Sequence, residues 1–228
     1  MFSLFGKKSK PEPPRPTPIR DTLFGDLPLE QWPNANASAL KQEPWLSFVQ
    51  ARDALSKGKK ADAIQHWQRI AEMPKLESRH YVQTWHFLRQ QGVQPPPEKA
   101  QTLYGVVVEV AMPKGLDLLA AYTDGSARYY NFSGAGVIWE RSNDSLDAQI
   151  NALLDAGRQV VVMIGPWEAA RPPAPGKDQA RLSMLTPSGL HFGQGDFDVL
   201  NAEPQGRLLI EAATRLMVAL TELRKKPQ

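Results

Sequence analysis

Residues 102–140 read TLYGVVVEVAMPKGLDLLAAYTDGSARYYNFSGAGVIWE, and the fold depends on how this stretch is parsed. Val106, Val108 and Val110 alternate with Val107, Glu109 and Ala111, so both faces are apolar apart from Glu109. A strand with two apolar faces belongs inside a sheet, covered on both sides. Asp124-Gly125 then separates two further runs, 118–122 and 128–132. Asp-Gly tolerates the positive φ of a tight turn, so the spacing predicts an antiparallel hairpin with a two-residue turn. The middle of the chain is therefore an antiparallel sheet.

Towards the C-terminus, Leu146, Ile150, Leu153 and Leu154 recur at helical spacing from a start near Asp144 or Ser145, with Gly157 as the expected terminator. The run QVVVMIG at 159–165 predicts another doubly buried strand, and 166–178 is a proline-rich excursion from the sheet. Alternation at 181–186 and at 190–194, around Pro187-Ser188-Gly189, predicts a last hairpin. Residues 193–206 read as irregular. A final helix over about 206–224 places Leu209, Ala213, Leu216, Met217, Leu220 and Leu223 on one face.

Towards the N-terminus, prolines cluster at 11–18 and 95–97, which punctuates the chain. Residues 1–43 form a Pro-rich tail and a loop, partly disordered, with the loop draping over a neighbour through Leu23, Phe24, Leu27 and Trp32. Pro11/Pro14 and Pro13/Pro16 have the P-x-x-P spacing of polyproline ligands. Three helices follow over 44–94. The first begins at Pro44 and ends at Gly58, the second spans about 60–73 with Ala63, Ile64, Trp67 and Ile70 on one face, and the third spans about 77–91. Residues 95–101 make a stiff linker, and 102–226 the sheet unit. The fold class is α+β: an N-terminal helical hairpin plus one helix, then a mostly antiparallel sheet of five to seven strands covered by two helices.

Gly58 at the turn, Ala63, Trp67 and Pro74 together resemble one tetratricopeptide repeat, with Ala51 where that family places a glycine. Solenoid repeats need about three copies to bury their faces, so a repeat and a half implies helices that cap the sheet. The element order of 102–226 resembles that of profilin-like and roadblock proteins, and the resemblance implies one sheet carrying two helices and a role in protein association.

Composition narrows the chemistry. The 228 residues contain no cysteine, which excludes thiol nucleophiles, disulfides and cysteine-ligated metals. The net charge of +3 comes largely from basic residues at the two ends, which is no nucleic-acid groove. No window approaches a membrane span, and the N-terminus lacks the pattern of a secretory signal, so the expectation is a cytoplasmic protein. Phe2, Leu4 and Phe5 ahead of Lys7 and Lys8 suit at most weak contact with a membrane surface. His66, His80, His86 and His191 have no metal-ligand spacing, and Ser133 lacks the G-x-S-x-G context of a hydrolase. No cofactor and no metal are expected.

Glu109 interrupts a valine strand and so either pairs with a cation, for which Arg128 is the candidate, or works as an acid/base group. Trp167, Glu168 and Arg171 stand together on the loop leaving the sheet, and these are interface residue types. The reading is a non-catalytic protein-interaction or scaffold module that binds another protein or a second copy through Trp167, Glu168, Arg171, Tyr130, Arg128 and His191. Its rival is a small-ligand sensor or enzyme with a pocket near Glu109, Arg128, Glu168, Arg171 and His191. Side chains converging on a concave site favour the rival; side chains spread over a flat face favour the scaffold.

Overall fold

The computed structural model describes residues 18–225. The P-x-x-P spacings at 11–16 and the surface contact expected of Phe2, Leu4 and Phe5 lie outside the described residues. The valine run becomes β1 (Gly105–Met112), followed by β2 (Gly115–Tyr122), β3 (Ala127–Tyr130), β4 (Gly136–Trp139), β5 (Gln179–Thr186) and β6 (Gly189–Asp196). They form a six-stranded antiparallel sheet in the order β4-β3-β2-β1-β5-β6, so β1 is interior, as its two apolar faces require. The class is α+β.

Alternation along β1 divides the core in two. Val106 and Val108, with Leu119, Leu182 and Met184, face two helices, α6 (Asp147–Val161) and α8 (Pro204–Lys225), which bring Ile150, Leu153, Leu154, Leu209, Leu216 and Leu220. Val107, with Leu118, Ala120, Tyr122 and Leu185, faces the other way. That face is covered by Leu23 and Phe24 of α1 (Pro18–Phe24) and by Val82 of α4 (Ser78–Gln90). A central strand that buries side chains on both faces gains roughly 1.5–3 kcal/mol from each valine. This is why the sheet holds both layers.

The helices α2 (Trp45–Ser56) and α3 (Lys60–Glu72) pack behind α4 around Phe48, Trp67, Ile70, Phe87 and Leu88. Gly58 and Gly92, both at positive φ, end α2 and α4 in the manner expected. Docking of α4 on the sheet is polar at its N-terminal end, where Asp124 Oδ2 accepts the Ser78 N–H at 2.7 Å. A stacked Tyr81–Tyr104 pair, 5.2 Å between centroids, continues the contact. The short α5 (Pro97–Ala100) leads into β1.

Four local expectations need correction. The β2–β3 turn has three residues, because Tyr122 N–H bonds Ser126 O and Gly125 N–H bonds Tyr122 O; Gly125 does adopt φ +84°. Gly157 does not end its helix. It lies within α6 where a Cβ would stand 2.6 Å from Val106 Cγ2, so glycine lets the helix approach the sheet. The strand expected at 159–165 is absent: α6 continues to Val161, and Val162 and Met163 turn out to solvent at 69% and 63% exposure. A short apolar run has no period long enough to separate a strand from the end of a helix. Within 193–206, read as irregular, lies α7 (Phe197–Ala202).

Candidate functional site

Beneath one end of the α1/α4 face lies a buried charge network. Glu109 is fully buried and sits opposite Arg181 in the β1–β5 register. Arg20 Nε donates to its Oε1 at 2.5 Å and Arg181 Nη1 to its Oε2 at 3.1 Å. Both guanidiniums also donate to the Pro172 carbonyl, and Arg181 adds Pro173 O at 2.6 Å and Gln194 Oε1 at 2.9 Å. Burial pulls the Arg181 pKa down and Glu109 opposes it. The network thus ties three separate pieces together: α1, the interior of the sheet, and the proline strap.

A second cation fixes the strap further along. Arg171 donates from Nε to Asp26 Oδ2 at 2.6 Å and from Nη2 to Asp21 Oδ1 at 2.7 Å, with its guanidinium 4.3 Å over the Phe24 ring. Burial works against its charge, but the bonds it donates to Asp26 and Asp21, with their negative charge, outweigh burial and raise its pKa. Trp167 closes the strap on the sheet. Its N–H bonds Leu190 O at 2.6 Å, its indole Nε1–H bonds Ala170 O at 3.0 Å, and its ring meets Phe192 edge-on at 5.3 Å. Trp167 is still 46% exposed.

Between this strap, the end of α1, α4 and the β5–β6 turn opens a cleft of about 550 Å³. Val82, His86 and Arg89 reach it from one face of α4, at i, i+4 and i+7. Burial lowers the Arg89 pKa to about 10, with Asp26 opposing. Burial lowers His86 to about 4, so it is a neutral imidazole at physiological pH; Asp26 opposes and Arg89 reinforces the shift.

The residues singled out from sequence divide clearly. Trp167, Glu168 and Arg171 all line the cleft. Arg128 does not. It is two strands from β1, bonded to Glu140 at 2.7 Å, so its expected pairing with Glu109 is wrong: Arg20 and Arg181 hold that carboxylate. Tyr130 packs on the apolar cluster of the α1/α4 face, away from the cleft. His191 is 1% exposed, its Nδ1–H donates to Ile164 O at 2.9 Å, and its Nε2 accepts from Ser188 at 3.2 Å. Burial lowers its pKa, with the Ile164 bond opposing. Glu109 and His191 are thus structural groups outside the lining of the cleft, with their polar atoms spent.

Sequence reading missed Arg20, Asp21, Asp26, His86, Arg89 and Arg181. The spacing of Val82, His86 and Arg89 along α4 was the one available signal. The others come together only through pairings distant in sequence. Among the described residues no cluster of histidine and carboxylate side chains is arranged to hold a metal ion, and no helix is long and apolar enough to cross a membrane. Compared with protein-family models, with curated proteins and with solved structures, the chain matches none.

Proposed function

We propose that this protein is a non-catalytic interaction module that receives a segment of another protein in the cleft, with Trp167 as the anchoring side chain. The observation that carries this reading is the half-exposed Trp167 at the lip of a concave site, held by its indole bond to Ala170, by its backbone bond to Leu190 and by its contact with Phe192 of β6, on a strap that is itself pinned by Arg171 and Arg181. An aromatic anchor already held in place loses little entropy on binding, and such residues carry most of the energy in interfaces. Concavity by itself favours the small-ligand rival, but of the five residues expected around that pocket only Glu168 and Arg171 reach the cleft, whereas Glu109 and His191 are buried and bonded and Arg128 stands two strands from β1.

The test compares the full chain with its Trp167→Ala variant as bait in cells of the source organism, with quantitative recovery of co-purifying proteins. The expected result is at least one protein whose recovery falls about tenfold or more, at an unchanged unfolding midpoint. The reading fails if no recovered protein depends on Trp167. It fails equally if the variant loses about 3–5 kcal/mol of stability, as a core tryptophan would.

A further inference from the structure

Arg89 differs from every other cation around the cleft. Arg20 and Arg181 share Glu109, and Arg171 has Asp21 and Asp26. Among the described residues Arg89 forms no ion pair, and its side chain makes one hydrogen bond, from Nη1 to the Pro187 carbonyl at 2.5 Å. That bond leaves the edge formed by Nε and Nη2. This is the edge through which a guanidinium takes a carboxylate side-on, by two parallel N–H···O bonds. Gly189 borders this edge without a side chain: a Cβ there would stand 3.9 Å from Arg89 Nε, in van der Waals contact with it. Charge burial sharpens the case: burial lowers the Arg89 pKa, and the carboxylate that opposes this, Asp26, is bonded to Arg171 and forms no ion pair with Arg89, so a partly desolvated cation is left incompletely compensated.

Resting on the interaction reading above, we propose that the cleft recognises an acidic peptide segment, whose Asp or Glu carboxylate binds the Nε/Nη2 edge of Arg89 while a neighbouring apolar side chain packs on Trp167. The rest of the cleft narrows the ligand. Glu168 stands exposed on the rim, so a second acid placed there is repelled, and a neutral or basic residue beside the acid is favoured. His86 is neutral and adds no further positive charge. The apolar lining from Val82, Phe24 and Leu190 takes uncharged side chains.

The experiment selects binders to the full chain from a random-peptide display library and measures the synthesised peptides by fluorescence polarisation. The expected result is that the peptides weakened by Trp167→Ala share an acid. Changing that acid to Asn or Gln on the peptide, with the protein untouched, weakens binding about tenfold or more. Arg89→Gln matches that loss, and Arg89→Lys recovers part of it, keeping charge without the fork. Trp167-dependent peptides that tolerate both the amide swap and Arg89→Gln overturn the carboxylate inference and leave the interaction reading standing. A selection that yields no Trp167-dependent peptide overturns both.

Discussion

Replacing Glu109 by Gln removes one negative charge from a site where two guanidiniums converge. Glu109 is fully buried, and the Arg20 and Arg181 side chains are 8% and 1% exposed, so water cannot make up the lost charge. Removing one partner of a buried ion pair costs about 3–5 kcal/mol, since the remaining charge is left uncompensated. Arg181 keeps its bonds to Gln194, Pro172 and Pro173, and Arg20 keeps one to Pro172, which places the expected loss at the lower end, about 3 kcal/mol. Urea unfolding followed by circular dichroism reads this directly. Because Arg20 is on α1 and Glu109 on β1, Arg20→Met combined with Glu109→Gln should lose less than the sum of the single losses, by about 1 kcal/mol or more. A loss below about 1 kcal/mol for Glu109→Gln, or strict additivity, refutes the claim that this carboxylate ties the N-terminal helix to the sheet.

Three further outcomes follow from the packing. Gly157→Val puts side-chain atoms where Val106, Leu103 and Met184 already stand, and should cost about 1–3 kcal/mol by lifting α6; a neutral result contradicts the close approach. His80, His86 and His191 all have folded pKa values lowered chiefly by burial, so the unfolded chain takes up protons first. Their effect is absent well above the unfolded value of 6.5 and grows as pH falls below it, levelling for His86 near about 4; His86 alone accounts for up to about 3 kcal/mol of loss. Stability that stays flat between about pH 7 and about pH 4.5 contradicts this. A fragment of 102–228 bares the face of Val107, Leu118 and Tyr122 that α1 and α4 cover, and should bind a hydrophobic dye or aggregate; a clean monomer with a sharp transition contradicts that packing.

The sheet was readable because its signals are local. The doubled apolar pattern of β1 and the Asp124-Gly125 turn depend on near neighbours, and so do the helix stops at Gly58 and Gly92. Gly157 and 159–165 misled for one reason: a glycine in a helix and a short valine run each have two local explanations, and only the packing of α6 on Val106 selects one. The cleft was half legible. Trp167, Glu168 and Arg171 stood out by composition, but Arg20 meets Glu109 across 89 residues and Arg181 meets it across 72. Placing Arg128 beside Glu109 required a strand order that no local pattern supplies, and β2 lies between them.

The most direct test of the claim that the cleft is the binding surface is photo-crosslinking in cells of the source organism. A light-activated amino acid is placed at Gln94, exposed in the cleft, or at Val218, 45% exposed on α8 across the sheet. The account predicts a discrete protein adduct from position 94, lost when Trp167 is changed to Ala, and none from position 218. An adduct from 218 alone, none from 94, or one from 94 that survives Trp167→Ala contradicts it.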